Sequence, residues 1–336
     1  MILVTGGTGF IGSHLLLFLA RKQKKVRAIY KNEQSIAKTK ALFQLYSAES
    51  NALLQHIEWV EADITDIDAL ENVFNGISYI YHTAAIVSFD PKMHQNMHQV
   101  NVEGTNNILT LAIQYKVKKV IHLSSIAALG SYDNPITEKT HWNWKENNSE
   151  YAVTKFLSEM EVWRATQEGL NAVILNPSVV LGAGFWQEGT GSLFAKLDKG
   201  MKCYTPGATG FVDVWDVVKA MYDLMQSNIS TDSFILNAYN LSYKEVLQSI
   251  AVKMKKKPPK CQLPKFFIEV LWRLDALKSF VFRAPRLLSK SMAKTLYNKH
   301  TYSSKKLQDA IDIKFIPFDA SITNIVAQYF KSQSKK

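Results

Sequence analysis

Short apolar runs alternate with longer apolar-periodic segments through the first half of the chain. Residues 2–4 form one such run and predict a buried strand, and an apolar helical stretch follows over residues 13–22. The same pattern predicts further strands at residues 26–30, 57–61, 79–82 and 120–123, and helices at residues 101–115 and 151 to about 169. Strands that alternate with helices predict an α/β fold built on a doubly wound parallel sheet.

A glycine-rich turn, Thr5–Gly12, joins the first strand to the first helix. A glycine turn in this frame lets backbone N–H groups approach a pyrophosphate at the positive N-terminus of the helix. We therefore interpret it as a dinucleotide-binding loop. Its glycines also interrupt the uncharged stretch of residues 1–20, so that stretch is not expected to span a membrane.

Polar and small residues occupy the carboxyl ends of the predicted strands. Ligands of a doubly wound sheet bind at this edge of the sheet. The residues found there are Asp63, Ala84, Ala85, Ser124 and Ser125.

Tyr151 and Lys155 lie four positions apart on a predicted helix and therefore share one face. A phenol with a pKa of about 10 is a poor acid–base catalyst at neutral pH. A nearby lysine cation and the positive nicotinamide of an oxidised cofactor favour the phenolate and lower that pKa. Tyr151 can then exchange a proton with an alcohol or carbonyl oxygen, to which Ser125 can hydrogen-bond. Because the spacing alone is common, this interpretation depends on the glycine turn and the Ser124–Ser125 strand end that precede it.

Taken together, these motifs resemble an extended short-chain dehydrogenase/reductase over roughly residues 1–250. The resemblance implies a Rossmann dinucleotide-binding domain over residues 1–182, with strands returning later in the chain, and a smaller lobe over residues 183–336 that mainly binds substrate. The blocks that carry it are Thr5–Gly12, Asp63–Ile64, His82–Ala85, Asn101–Thr105, Ser124–Gly130, Tyr151–Lys155, Asn176–Gly182 and Phe211–Val217.

The resemblance also implies roles for individual residues. Ser125, Tyr151 and Lys155 are the expected catalytic residues; the serine is chosen because it lies five positions before Gly130, and Ser124 is the second choice. Lys155 is expected to bind the nicotinamide ribose, and Asn101 to serve either a water relay or a helix cap. The predicted cofactor-binding residues are Gly6, Thr8, Gly9, Phe10, Ile11, Gly12, Lys31, Asp63, Ile64, Thr83, Ala84, Ala85, Asn101, Ser124, Tyr151, Lys155, Pro177 and Val180.

The second predicted strand bears on the choice of cofactor. NAD-binding proteins usually place an acid at its end, whereas NADP-binding proteins place a cation that meets the 2′-phosphate. Here no acid occupies the strand end, and Lys31 or Arg27 could meet a phosphate. We therefore predict NADP(H) as the cofactor and keep NAD(H) as the alternative, because a solvated surface lysine would give the same pattern.

Residues 176–182 resemble dihydroflavonol reductases and 3β-hydroxysteroid dehydrogenases. Nucleotide-sugar epimerases usually carry an arginine just before the block matched by residues 211–217, and here residues 207–210 contain none. We predict an enzyme that interconverts a carbonyl and a secondary alcohol on a bulky apolar or aromatic small molecule. The alternatives are a nucleotide-sugar epimerase or dehydratase, and a non-catalytic dinucleotide-binding sensor or assembly protein.

Apolar residues near the expected site are candidates for the substrate pocket, although each could equally belong to the core of the lobe. They are Val87, Phe89, Phe185, Trp186, Tyr204 and Phe211, and Ser125 is expected to contact the substrate as well.

Composition restricts the class of protein further. Of the 336 residues, 47% are apolar and 21% are charged, which is typical of a globular protein. Two cysteines cannot form a disulfide framework or a zinc finger, and no metal site is predicted. Free thiols and a start without a basic region favour a cytoplasmic protein. The family resemblance implies a homodimer.

The net charge of +11 is concentrated in one segment. Residues 253–306 contain 15 Lys and Arg but only Glu269 and Asp275 as acids, so the rest of the chain is close to neutral. One interpretation is a lobe helix with its apolar face on the core and its lysines in water. The other is peripheral attachment to an anionic membrane surface. No nucleic-acid partner is predicted, because no recognised nucleic-acid motif accompanies the lysines.

Overall fold

The computed structural model describes residues 1–130, 134–146, 148–282, 286 and 289–334, with the side chains of 280–282 and 291 excepted. Its strands are β1 (Ile2–Thr5), β2 (Val26–Tyr30), β3 (Ile57–Glu61), β4 (Tyr79–His82), β5 (Lys119–Leu123), β6 (Ala172–Pro177), β7 (Val179–Leu181), β8 (Cys203–Tyr204), β9 (Ala208–Asp213), β10 (Asp232–Leu236), β11 (Tyr239–Ser242) and β12 (Cys261–Gln262).

Helices connect most of these strands. They are α1 (Phe10–Arg21), α2 (Glu33–Tyr46), α3 (Ser50–Leu54), α4 (Ile67–Glu71), α5 (His94–His98), α6 (Gly104–Gln114), α7 (Glu150–Gln167), α8 (Gly191–Asp198), α9 (Val214–Gln226), α10 (Tyr243–Lys253), α11 (Lys265–Phe282), α12 (Lys290–Thr295), α13 (Lys305–Ile311) and α14 (Phe318–Gln333). A π-helical turn, Gln99–Glu103, leads into α6.

Seven strands form a central sheet in the order β3, β2, β1, β4, β5, β6, β10, and every pair is parallel. The chain proceeds from β1 outward to β3 and then crosses to β4 on the other side of β1. The loops after β1 and β4 therefore diverge at the carboxyl edge, where doubly wound sheets bind their ligands. This arrangement confirms the predicted α/β Rossmann fold.

Alternating side chains of the strands fill an apolar layer on each face of the sheet. Val4 packs into a layer with Leu16 of α1 and Met221 of α9. Its neighbour Leu3 packs into the opposite layer, which includes Ile108 of α6 and Val162 of α7. The continuous apolar runs in the sequence follow from this burial on both faces.

The first helix begins at Phe10, three residues before the predicted start. Gly12 therefore lies in the first helical turn, where an added Cβ would come within 2.1 Å of the Gly6 carbonyl oxygen. Gly6 itself has a φ of +67°, and an added Cβ there would come within 2.5 Å of the Ala84 backbone nitrogen. These two glycines hold the loop after β1 against the helix and against the loop after β4.

The later part of the chain builds a smaller unit and also returns to the central sheet. Strands β7, β9 and β11 form a separate three-stranded sheet, and α8, α10 and α14 share an apolar core with it. Strand β10 instead joins the edge of the central sheet beside β6. Asp213 and Asp216 connect these parts: the Asp213 carboxylate accepts hydrogen bonds from Trp215 and Ser321, and the Asp216 carboxylate accepts one from the Ile316 backbone.

Candidate active site

The loop after β1 forms one wall of a groove along the carboxyl edge of the sheet. Two cavities of about 610 and 370 Å³ make up this groove and share four residues, Gly6, Gly9, Thr83 and Ala85. We call it the glycine-loop groove. Its walls include these predicted cofactor-binding residues: Gly6, Thr8, Gly9, Phe10, Ile11, Gly12, Lys31, Asp63, Ile64, Thr83, Ala84, Ala85, Ser124, Tyr151 and Lys155.

The N-terminus of α1 fits a dinucleotide pyrophosphate. Gly9 is the N-cap residue, and no side chain among the described residues caps this helix, so the N–H groups of its first turn lack a side-chain acceptor. An added Cβ at Gly9 would meet only the Gly6 carbonyl oxygen, at 3.3 Å, and would otherwise fill groove space. Free N–H groups at the positive end of a helix are a recurrent phosphate site.

Lys31 lies at the far end of the groove from Tyr151, next to Asp63. The Lys31 ammonium is 2.5 Å from the Asp63 carboxylate, and 72% of the lysine side chain is exposed. Partial burial opposes ionisation of Asp63, but hydrogen bonds from Lys31 and Thr65 outweigh it and lower the pKa of that carboxyl. Both residues line the 370 Å³ part of the groove.

Arg27 does not face this groove, which corrects one of the two predicted phosphate contacts. Its guanidinium pairs with Glu58 at 3.0 Å and donates to the carbonyl oxygens of Val73 and Asn75. Arg27 is the second residue of β2, far from the carboxyl end of that strand, so its side chain is committed to packing at the amino edge of the sheet.

Helix α7 carries Tyr151 and Lys155 into the groove. Ser149 caps the helix by accepting a hydrogen bond from the Ala152 N–H at 3.1 Å, so Tyr151 lies in the first turn. Burial raises the pKa of Tyr151 to about 12, while a hydrogen bond with Ser125 lowers it. The predicted depression of this pKa by Lys155 is therefore not found in the protein alone, where loss of water around the phenol dominates.

The side chain of Lys155 is almost fully buried between α7 and the carboxyl end of β5. Its ammonium donates a hydrogen bond of 2.9 Å to the Leu123 carbonyl oxygen. Burial lowers the pKa of Lys155 to about 8, and the charge of Glu159 opposes that shift. The ammonium is therefore protonated at neutral pH with only a small margin.

Glu159, one turn after Lys155, is a buried acid that the sequence reasoning missed. Burial raises its pKa, whereas hydrogen bonds from Ser124 and Asn176 and the charge of Lys155 lower it. The Ser124 hydroxyl and the Asn176 amide both donate to one Glu159 carboxylate oxygen. Ser124 is thus committed to this acid, which favours Ser125 as the serine available to substrate. The four-residue spacing from Tyr151 to Lys155 to Glu159 is the signal that could have revealed it.

Two buried histidines, His82 of β4 and His122 of β5, lie close enough to Lys155 to feel its charge. Burial and the positive charge of Lys155 lower the pKa of His82 to about 3, and the same causes hold that of His122 well below its usual value. Both rings are therefore neutral at neutral pH. His82 hydrogen-bonds to the hydroxyls of Thr5 and Thr105.

Three predicted cofactor-binding residues lie outside the walls of the groove. Asn101 is buried. Its amide oxygen accepts a hydrogen bond from the Ile86 N–H, and its amide nitrogen donates to the Ile86 carbonyl and the Thr154 hydroxyl. The residue therefore neither caps a helix nor lines the groove. Pro177 is buried at the end of β6. The Val180 carbonyl accepts a hydrogen bond from Thr190, and it is Thr190 that lines the groove.

A third cavity, of about 300 Å³, adjoins the groove, and we call it the substrate-side cavity. Ser125 lies in its wall, and Tyr151 and Phe89 line both spaces. Its apolar lining includes Ile126, Leu129, Ile136 and Val179. Its polar lining includes residues that the sequence reasoning missed because no motif marks them: Glu146, Asn148, Lys294, Thr295, Asn298, His300 and Tyr302.

The structure divides the predicted substrate residues into two groups. Val87, Phe89 and Phe185 line the same 610 Å³ part of the groove as Tyr151. Tyr204 and Phe211 are instead buried in the core of the smaller unit, and Trp186 packs edge-on against Tyr329. Tyr204 and Phe211 fill the interior of the lobe, Trp186 packs against that core, and none of the three lines either space.

Comparison with known proteins finds a family model that matches this chain and several similar proteins. The family model described as "NAD dependent epimerase/dehydratase family" matches residues 2–240. The chain is 28% identical to sterol demethylase protein B of Methylococcus capsulatus over 84% of each chain. It is 26% identical to a putative dihydroflavonol 4-reductase of Synechocystis over 91% of this chain and 88% of the relative.

Among solved structures, the chain is similar to a UDP-glucose 4-epimerase from Thermotoga maritima crystallised with UDP-glucose. The TM-score is 0.77 at 19% identity, and the match covers 99% of both chains. At this identity the likeness supports the fold.

Replacing Glu159 with Gln is expected to lower the pKa of Lys155 below about 8, because the substitution removes the charge that opposes the effect of burial. If the Lys155 cation contacts the dinucleotide, affinity falls as pH rises through its pKa, so the fall should begin roughly one pH unit lower in the variant. The measurement is NADPH affinity by fluorescence from pH 6 to 10.

Glu161→Gln is the matched control, since Glu161 lies on the same helix and pairs with Arg164 at its surface. Its pH profile should follow that of the wild type. A Glu159→Gln profile that also follows the wild type contradicts the coupling.

Proposed function

The chain belongs to the NAD-dependent epimerase/dehydratase family of extended short-chain dehydrogenase/reductases, and within that family we propose that it interconverts a carbonyl and a secondary alcohol. The proposal rests on Tyr151, whose side chain lines both the glycine-loop groove and the substrate-side cavity. A phenol in a wall shared by the two spaces can reach a substrate oxygen beside a bound dinucleotide. General acid–base catalysis requires this contact.

Each polar group of the site has a task in this reaction. The nicotinamide cofactor, when bound, supplies or accepts the hydride. Tyr151 donates its hydroxyl proton to the carbonyl oxygen during reduction and takes it back during oxidation. Ser125 hydrogen-bonds to Tyr151 and holds the same oxygen. Lys155 contributes a buried positive charge behind the phenol and is proposed to bind the nicotinamide ribose.

Burial keeps Tyr151 in its protonated form and also makes it a weaker acid, so proton transfer becomes more efficient when a bound group lowers its pKa. A pKa of about 12 keeps its hydroxyl protonated at neutral pH, and the protonated form is the one that reduction needs. The oxidation direction requires the phenolate, which the positive charge of an oxidised nicotinamide would stabilise.

The cavity walls favour a largely apolar substrate with a polar end. Phe89, Ile126, Leu129, Ile136 and Val179 form an apolar wall near Tyr151. We propose that a bulky ring system packs against this wall and that its polar groups face the side lined by residues 294–302.

A nucleotide-sugar substrate is the rival, and the residues just before position 211 argue against it. An added Cβ at Gly207 would come within 2.5 Å of the Leu296 carbonyl oxygen, and one at Gly210 within 2.2 Å of the Asn237 amide oxygen. An arginine for a substrate pyrophosphate therefore has no room at either position. Lys294 is the feature that favours the rival, since it places a cation in the cavity wall.

Tyr151→Phe is expected to lower turnover of a ketone or aldehyde by about 100-fold or more, because it removes the proton donor. Its affinity for NADPH should stay within about twofold of the wild type, since the ring and its packing remain. The assay is the loss of NADPH absorbance with a panel of apolar ketones and aldehydes.

The control is Tyr222→Phe, a tyrosine of α9 at the opposite edge of the sheet, which should keep full activity. Undiminished turnover in Tyr151→Phe would overturn the proposed mechanism. Turnover of a nucleotide sugar with no net NADPH consumption would support the rival reaction.

We propose NADP(H) as the physiological cofactor, because Lys31 is exposed at the end of β2 within the groove. A 2′-phosphate there would share the lysine with Asp63. Lys31→Ala is expected to weaken NADPH binding about tenfold, the effect of one charge-assisted contact, and to leave NADH binding within about twofold.

Both affinities are measured by fluorescence titration, with Lys24→Ala at the opposite edge of the sheet as the control. Wild-type protein that binds NADH more tightly than NADPH would contradict this choice.

A further inference from the structure

Helix α11 presents apolar side chains to solvent over most of its length. Phe266 is 73% exposed, Phe267 57%, Leu274 55% and Leu277 59%. Leu271 belongs to the same group and is 43% exposed. Exposed apolar side chains are ordinary when scattered, but a group of five on one helix marks an interaction surface.

These residues share one face of the helix. At about 100° per residue, the five exposed side chains fall within an arc of roughly 140°. Ile268 and Ser279, both buried, lie on the opposite side. The helix therefore uses one face to pack on the protein and turns a second apolar face outward, which we call the α11 apolar face.

Helix α11 itself carries three cations, Lys265, Arg273 and Lys278, and both acids of residues 253–306, Glu269 and Asp275. Glu269 on α11 is already paired with Arg273 at 2.7 Å and also accepts a hydrogen bond from Trp272. Lys278 is exposed within the arc, and Lys265 is exposed at the start of the helix. Residues 253–306, which include α11, contain 15 Lys and Arg against two acids.

We propose that α11 docks on an anionic membrane surface and lies in the plane of the interface. Its apolar face would enter the boundary between headgroups and acyl chains, while the lysines contact anionic headgroups. Long lysine side chains such as that of Lys278 can bury their stems and keep the ammonium at headgroup level. The observation that carries the proposal is the apolar face within a segment of strong positive charge.

The positive charge of residues 253–306 favours an anionic membrane, and not a second copy of this chain, as the partner of the α11 apolar face. A two-fold contact through α11 would bring two positively charged segments together, and like charges oppose such pairing. No helix within the described ranges is long and apolar enough to cross a bilayer. The surface of the bilayer, with its negative potential, matches both the apolar and the basic character of this segment.

The docking surface also lies close to the substrate-side cavity. Helix α11 packs against α12, and α12 contributes Lys294 and Thr295 to the wall of that cavity. Docking would therefore bring one wall of the cavity near the bilayer. The membrane proposal does not depend on the proposed reaction, since it rests on the surface of α11 alone.

The test is co-sedimentation of the full-length protein with vesicles. One set contains only phosphatidylcholine, and the other contains phosphatidylcholine with about 30% phosphatidylglycerol. Binding is measured at about 0.05 M and about 0.5 M NaCl, because the Debye length shortens several-fold between them. We expect binding to the anionic vesicles at low salt and clear weakening at high salt or without phosphatidylglycerol.

The double variant Phe267→Ser with Leu274→Ser removes two side chains of the α11 apolar face and should weaken vesicle binding about tenfold or more. Its matched control is Val252→Ser with Phe330→Ser, since both residues are exposed and apolar but lie outside α11. The control should bind vesicles like the wild type. All three proteins should bind NADPH equally, which shows that the fold is intact and separates this test from the proposed reaction.

Three results would overturn the proposal. One is no binding to anionic vesicles at low salt. Another is equal vesicle binding by the wild type and the α11 variant. The third is a wild-type dimer in solution that the α11 variant converts to a monomer, because the face would then be a contact between copies of the chain.

Discussion

The buried ammonium of Lys155 ties helix α7 to the end of β5, and the candidate active site depends on this contact. The hydrogen bond of 2.9 Å to the Leu123 carbonyl, together with buried hydrogen bonds of Thr154 and Glu159, sets the rotation of the helix about its axis. That rotation brings Tyr151, one turn earlier, to the wall between groove and cavity. Burying the charge is unfavourable, as the lowered pKa of Lys155 shows, and the nearby Glu159 offsets part of that effect. The position of the phenol is thus maintained by a network of buried polar groups.

The rest of the fold determines what this phenol can meet. The glycine loop after β1 and the loop after β4 diverge at the switch point of the sheet and leave room for a dinucleotide. On the other side of Tyr151, the smaller unit adds Val179 and residues 294–302 as a wall. Asp213 caps α9 and accepts a hydrogen bond from Ser321. This contact joins β9 of the three-stranded sheet to α14. The residues proposed to react come from the part built on the central sheet, whereas much of the wall of the substrate-side cavity comes from residues late in the chain.

The elements that depend on local pattern could be predicted from the sequence. The bounds of β2, β3 and β4 agree with their apolar runs, and the glycine loop, Tyr151 and Lys155 line the groove as expected. The site residues that depend on packing between distant segments could not be predicted. Arg27 is the second residue of β2 and lies at the amino edge of the sheet, where it pairs with Glu58 of β3, a partner that the sequence pattern does not reveal. Tyr204 and Phe211 are large rings, which suit a lobe core as well as a pocket, and residues 294–302 carry no motif.

If Tyr151 is the proton donor, a substrate carbonyl beside it is reduced with consumption of the cofactor. The most direct test uses NADPH with deuterium at both hydrogen positions of nicotinamide C4 and follows the label into the product of an apolar ketone. We expect one deuterium on the carbinol carbon for each NADPH consumed, with this transfer largely lost in Tyr151→Phe. A nucleotide sugar converted to its isomer without net NADPH consumption, and with no ketone or aldehyde taking up label, would contradict this expectation.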